Sequence, residues 1–152
     1  YANMVGDIAL SAGCDPDLIL EAIGSDSRIG KKNIKYGYGY GGPCFPRDNR
    51  AFASFAADLN IDAVISKASE VANQQHLQFQ VNNYIETHDI SESITFSDIA
   101  YKSGTMIIEE SQKLALALAL AGRGYNIIIK DDAQIIRKVK LLYGDIFQYK
   151  EL

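Results

Sequence analysis

Cys44 stands between Pro43 and Pro46, directly after Gly41 and Gly42, and is followed by Phe45, Arg47 and Asp48. Glycines let a substrate approach the backbone and prolines stiffen the bend, so this segment is a good mount for a sulfur nucleophile. The thiolate is the reactive species, and a cation or helix N-terminus nearby favours it. Asp48, four residues on, is within reach of a water or of the reacting centre. Plainer readings stand beside these. Cys44 fits a small buried hydrophobe equally well, and Asp48 fits a helix cap. Cys14, the only other cysteine, makes neither a CxxC nor a disulfide framework with it. His76 and His88 have no cysteine or acid partners at ligand spacing, which leaves a metal site without support.

Upstream, Gly30, Gly37, Gly39, Gly41 and Gly42 alternate with Tyr36, Tyr38 and Tyr40, so 25–46 reads as one long loop. Gly37, Gly39 and Gly42 satisfy G-x-G-x-x-G, and Asp62 follows about twenty residues on. The dinucleotide reading is nevertheless rejected. No strand precedes the loop, and Pro43 and Pro46 stand where a phosphate-binding helix would start.

Helices are expected to carry this loop. Tyr1 to Ser11 reads as helical with Met4 and Ile8 on one face, and Gly13 stops it. Asp15-Pro16-Asp17 caps a second helix that ends at Gly24. Asp48 is expected to cap a third, through about Leu59, with Phe52, Phe55 and Ala56 facing inward. The longest helix, about 63–86, places Val64, Ala68, Val71, Leu77, Val81 and Tyr84 as a buried spine or a dimer seam. Thr87 to Ser93 is a polar linker. Beyond it Ile94-Thr95-Phe96 reads as a strand, about Glu109 to Ala121 as a helix, and Ile127-Ile128-Ile129 as a strand ending at Asp131. Strand–helix–strand at this spacing opens a doubly wound sheet, with only about two strands visible. The expected fold is therefore a mainly α domain over 1–88 carrying the cysteine loop, then a partial α/β, Rossmann-like domain over 89–152.

The chain has 152 residues, 47% of them hydrophobic and 22% charged, enough to bury a core. A net charge of −4 with scattered lysines argues against nucleic acid; Arg137–Lys140 reads as a solvated helix face. The apolar run Leu114–Ala121 is too short to span a bilayer, so no membrane partner is expected. Two unpaired cysteines suit a cytoplasmic setting. The chain starts at Tyr1 in sequence that already reads as helix, and a cut end is expected there.

Three separate stretches resemble one family in its own order. Asp26-Ser27-Arg28-Ile29-Gly30 followed by Gly39-Tyr40-Gly41-Gly42-Pro43-Cys44-Phe45-Pro46-Arg47-Asp48 closely resembles the signature of the UDP-glucose/GDP-mannose dehydrogenases. Tyr1-Ala2-Asn3 is similar to the end of that family's K-x-x-A-N segment. Ala100-Tyr101-Lys102-Ser103-Gly104-Thr105, then Glu109-Glu110-Ser111, is similar to the opening of its third, nucleotide-binding domain.

The resemblance implies a helical dimerisation centre and the start of the third domain, without the N-terminal domain that binds NAD. It also implies oxidation of a nucleotide sugar's C6 alcohol to a carboxylate by two hydride transfers to NAD. In that reading Cys44 captures the aldehyde, Asp48 activates or positions water, and Asn3 stabilises oxyanion charge. Gly41 contacts the sugar through its backbone, Lys102 and Tyr101 lie near the nucleotide sugar, and Arg47 offers charge to a cofactor phosphate. Arg28 reaches into the partner subunit's nucleotide site, making a homodimer through helix 63–86 the active unit. For Arg28 and Lys102 the plain alternative is an ordinary surface charge. The family's catalytic lysine falls upstream of Tyr1, so the isolated chain is expected to be inactive. A non-catalytic dimerisation or nucleotide-binding module of the same shape is the competing expectation.

Some positions depart from the family pattern. Asn33 stands where an aromatic is common, Arg47 replaces a lysine, Glu109 takes a place often held by arginine, and Asp98 takes that of a glycine. The resemblance favours UDP-glucose over GDP-mannose as substrate; the N-acetylhexosamine branch more often has histidine where this chain has Pro43.

Overall fold

Local capping chemistry sets several of the elements directly. The computed structural model describes residues 1–152. Helix α1 (Ala2–Ser11) ends at Gly13, whose φ of 71° is one an L side chain rarely adopts. Asp15 then accepts the amide hydrogen of Asp17 at 2.8 Å with Pro16 in the first turn, which starts α2 (Pro16–Gly24). After the long loop come α3 (Phe45–Asp58) and α4 (Val64–Thr87). The α/β part follows: β1 (Ser93–Ser97), α5 (Gln112–Ala121), β2 (Asn126–Asp131), α6 (Ala133–Tyr143), a single 3-10 turn over Gly144–Ile146, and β3 (Gln148–Glu151).

The architecture is a helical part joined to a small parallel sheet, ordered β1-β2-β3. Ile94 faces Ile127 across the first pair and Ile129 faces Tyr149 across the second. The main core lies on this sheet. It is built from Ile94, Phe96, Ile127 and Ile129 of the strands, Leu114, Leu116, Ala117 and Leu120 of α5, and Ile135 and Val139 of α6. Ser111 caps α5 by accepting from the Leu114 amide, and its helix-forming Leu/Ala composition prevails over its strand-like alternation.

Helix α4 serves both parts. Its first half packs against α3 and α1, while Leu77, Val81 and Tyr84 of its second half enter the sheet's core. The spine reading therefore fits the second half. In the first half Val64 and Val71 are exposed.

The structure corrects several expectations. Helix α3 begins at Phe45 with Cys44 at its N-cap, so Asp48 lies inside the first turn and caps nothing. Pro46 explains the shift, because a proline is well placed in a first turn and pre-sets the helical φ. Phe52 and Phe55 are both 62% exposed, and of the expected inward face only Ala56 is buried. Met4 and Ile8 are likewise exposed, the buried positions of α1 being Gly6 and Ala9. Glu109 to Ser111 form a turn and not the first turn of α5, with Glu110 at φ 50°. A third strand, β3, joins the two expected ones.

Candidate active site

The loop between α2 and α3 is held almost entirely by polar groups. Asn3 on α1 grips two consecutive residues of it: its Oδ1 accepts from the Gly37 amide and its Nδ2 donates to the Tyr38 carbonyl, both at 3.1 Å. Asn73 on α4 does the same for Tyr40, accepting from its amide at 3.0 Å and donating to its carbonyl at 2.8 Å. The Tyr40 hydroxyl donates to Glu70 at 2.9 Å.

The α/β part holds the loop's other end. The Gly42 amide donates to the Glu110 carbonyl at 3.2 Å. A Cβ on Gly41 would lie 2.2 Å from that same oxygen, and one on Gly42 would lie 2.3 Å from the Tyr101 ring. Arg50 of α3 pairs with Glu70 and with Glu110, tying the loop's supports together.

Beyond Gly42 the chain turns into α3 and presents its sulfur. Cys44 is exposed, and the small-buried-hydrophobe reading fails. It sits where the unpaired amides of α3 converge, a position of positive potential. Arg47 stands in the same turn. Its guanidinium donates to Asp48 at 2.8 Å, and its pKa is raised by that hydrogen bond, by the charge of Asp48 and by that of Cys44. Asp48 is exposed, and its amide closes the first turn on the Cys44 carbonyl at 2.8 Å. Cys44, Arg47 and Asp48 thus share one solvent-facing helical turn. A sulfur nucleophile, a cation and a carboxylate on one turn are the groups that forming and hydrolysing a thioester would need.

The remaining expected residues fall into two places. Gly41 and Tyr101 line a small cavity of about 80 Å³ with Tyr38, Ser111, Gln112 and Lys113. Lys102 is on the same loop as Tyr101, exposed and with no ion-pair partner. Arg28 lies apart from both. It forms a two-pronged pair with Asp26 in solvent, with Nη2 to Oδ2 at 2.6 Å, and this holds the Asp26 carboxyl below its ordinary range.

The loop 98–105 that carries Tyr101 and Lys102 is anchored from beneath. Buried Asp131 accepts the Ile99 amide at 2.6 Å and Ser111 donates to the Ile99 carbonyl at 2.6 Å. Asp98 adopts φ 55°, the left-handed conformation a glycine would take without strain, and Lys113 donates to its carbonyl at 2.9 Å.

Residues 1–75 match the family model described as "UDP-glucose/GDP-mannose dehydrogenase family, central domain". The chain is 29% identical to a GDP-mannose 6-dehydrogenase of Pseudomonas putida, over 87% of this chain and 30% of the relative. It is 31% identical to a UDP-glucose 6-dehydrogenase of Pseudomonas aeruginosa, over 86% of this chain and 30% of that protein. A solved UDP-glucose dehydrogenase from the archaeon Pyrobaculum islandicum superposes on 99% of this chain with a TM-score of 0.87 at 31% identity, using 35% of its own length. The chain belongs to the UDP-glucose/GDP-mannose dehydrogenase family. It spans about 30% of the length of the curated relatives it matches.

Within this dehydrogenase framework the glycine loop is no dinucleotide cradle. Asn73, Glu110 and Tyr101 already occupy the space beside Gly39, Gly41 and Gly42. Arg47 alone, exposed and tied to Asp48, is too little to hold NAD. No group of three or more His, Cys, Asp or Glu side chains could hold a metal ion. No helix is long and apolar enough to cross a membrane.

Residue-by-residue reading missed His76. It does have an acid partner, Asp7, but the pairing spans 69 positions and joins α1 to α4, so no local spacing announces it.

The tyrosines of the loop carry a pH signature. Burial first, then the hydrogen bond to Glu70, pushes the Tyr40 hydroxyl up to about 12, and burial with the bond to Asp7 raises Tyr36 further. A phenol raised in the folded state stabilises the fold fully below its unfolded value of about 10, and that contribution is lost as pH rises through the folded value. Thermal melts should therefore fall between pH 10 and 12, less steeply in Tyr40→Phe. Equal slopes for the two proteins would contradict this.

Proposed function

We propose that this chain supplies the cysteine-bearing centre and part of the nucleotide-sugar site of an NAD-dependent nucleotide-sugar 6-dehydrogenase, with UDP-glucose as its substrate. The observation that carries the reading is the exposed sulfur of Cys44 at the N-terminus of α3, with Arg47 and Asp48 on the same turn. Residues 1–88 act as the dimerisation and catalytic unit and 89–152 as part of the nucleotide-sugar domain.

The oxidant would be NAD, held outside these residues, which would accept two hydrides in turn, the first on conversion of the C6 alcohol to the aldehyde. The Cys44 thiolate adds to the C6 aldehyde, giving a thiohemiacetal whose oxygen takes a proton from water. Cys44 would keep C6 covalently held while the oxidation that NAD would supply removes the hydroxyl proton and the hydride, and would then carry it as a thioester. Water adds to the thioester and the C–S bond breaks, releasing the carboxylate and the thiol. Asp48 accepts the water's proton, and the hydrogen on Asn3 Nδ2 not given to Tyr38 stabilises the oxyanion. Gly41 and Tyr101 contact the sugar and nucleotide, and Lys102, free of an ion pair, faces the phosphates. Arg28, turned to solvent, reaches a second copy. The exposed Val64, Ile65 and Val71 on the first half of α4 support a two-fold pairing of that helix. Static light scattering at high concentration should report a dimer; a monomer would remove that part of the reading.

Alkylation tests the chemistry directly. Cys14 and Cys44 are both exposed, so differing rates would report reactivity and not access. Limiting iodoacetamide near neutral pH should label Cys44 at least about tenfold faster. Equal rates would favour a non-catalytic dimerisation or nucleotide-binding module of the same shape. Residues 1–152 alone, given NAD and UDP-glucose, should produce no NADH; measurable turnover would overturn the division of labour proposed here. Comparing turnover of UDP-glucose and GDP-mannose by the complete enzyme decides the substrate.

A further inference from the structure

Behind the cysteine loop lies a set of ionisable groups that the chemistry above does not use. His76 of α4 is only 2% exposed, and both of its ring nitrogens are engaged. Nδ1 lies 2.9 Å from each carboxylate oxygen of Asp7, and Nε2 lies 2.6 Å from the Gly37 carbonyl oxygen. A carbonyl can only accept, so Nε2 carries a hydrogen. Two facing lone pairs at 2.9 Å would repel, so a proton also lies between Nδ1 and Asp7. The same carboxylate accepts the Tyr36 hydroxyl at 2.7 Å, and the Tyr36 ring meets His76 edge-on, with centroids 5.6 Å apart. The imidazole has no freedom to turn.

Its hold falls on a peptide that nothing else holds by packing. Gly37 has no side chain, and the space beside its Cα is open for 4 Å. His76 takes the Gly37 carbonyl, while Asn3 takes the Gly37 amide and the Tyr38 carbonyl. Asp7 and Asn3 are four residues apart on α1, so both reach the loop from one helix face. The Gly37 carbonyl lies in the peptide unit between the two that Asn3 grips, so displacing it would shift the Gly37 amide and the Tyr38 carbonyl that fix which way the carboxamide faces.

We propose that the Asp7–His76 pair is a positioning device for the Asn3 carboxamide, acting through the Gly37–Tyr38 backbone and so fixing the direction of the remaining Nδ2 hydrogen. The catalytic consequence rests on the function proposed above; the structural one does not.

Two measurements separate them. In the chain itself, nitrogen-15 spectra should show the Asn3 Nδ2 hydrogens displaced from free-asparagine shifts and slow to exchange. His76→Leu removes the donor to Gly37 and should return these signals to free-asparagine values while the amide spectrum of 93–151 is unchanged. His76→Gln keeps an N–H for that carbonyl and should preserve them. Asp7→Asn, a smaller perturbation should His76→Leu fail to fold, should broaden or shift them. Asn3 signals unchanged in every folded variant would overturn the proposal. In the complete dehydrogenase His76→Leu should lower kcat by about tenfold or more with KM for the nucleotide sugar within about twofold, and His76→Gln should restore kcat. Equal kcat per folded molecule in both would also overturn it. A wild-type enzyme without activity would defeat the proposed function and leave the spectra to decide the positioning role.

Discussion

Replacing Cys44 by serine in the complete dehydrogenase should lower oxidation of the sugar to its carboxylate by on the order of 10³-fold or more, roughly 4 kcal/mol of barrier. Serine keeps the size and the place at the N-cap, so the fold should survive: the helix is started by Pro46 and the closing Asp48 amide bond, neither of which needs sulfur. What is lost is a sulfur nucleophile that is far better than a hydroxyl and leaves readily from a thioester. Initial rates of NADH formation, read beside circular dichroism, make the measurement. A variant that keeps more than about a tenth of the wild-type rate would remove Cys44 from the mechanism.

Gly42→Ala should damage the loop strongly, for two separable reasons. Its φ of 84° costs an L residue about 1–2 kcal/mol. The new Cβ would also fall 2.3 Å from the Tyr101 ring, which must swing away. Gly13→Ala isolates the first effect, since Gly13 has φ 71° with nothing within 4 Å of the added atom. Gly13→Ala should therefore lose about 1–2 kcal/mol of stability, and Gly42→Ala a further 1–3 or so from overpacking. For a chain of this size each kcal/mol lowers the melting temperature by about 2–4 °C. Displacing Tyr101 should also weaken nucleotide-sugar binding by about tenfold or more, measured by calorimetry. Equal destabilisation of the two variants with unchanged affinity would contradict the collision argument.

Legibility in the sequence followed the range of the interactions. Where capping is local the reading held: Asp15-Pro16-Asp17 starts α2, and Gly122 follows α5. The left-handed turn at Asp98 agrees with a position that resembles a glycine site. Where burial depends on distant partners it did not hold. Phe52 and Phe55 sit at helical spacing yet face solvent, because α3 has only one covered side. Strand β3 escaped notice because Gln148, Lys150 and Glu151 are polar, and its position at the sheet's edge asks for no apolar alternation. At the site, Cys44, Arg47 and Asp48 were legible together because one helical turn carries them. The grip of Asn3, Asn73 and His76 on the loop was not, because each bond joins residues more than 30 positions apart.

The two-sided burial of α4 limits how this fold can be taken apart. Leu77, Val81 and Tyr84 wall the sheet, while Glu70, Asn73 and His76, directly before them on the same rod, steady the loop before the cysteine. A cut after Thr87 would unroof the strands and strip away three apolar side chains, of which the fully buried Val81 alone contributes about 1.5–3 kcal/mol. Chimeras that swap either half must carry the whole rod with them.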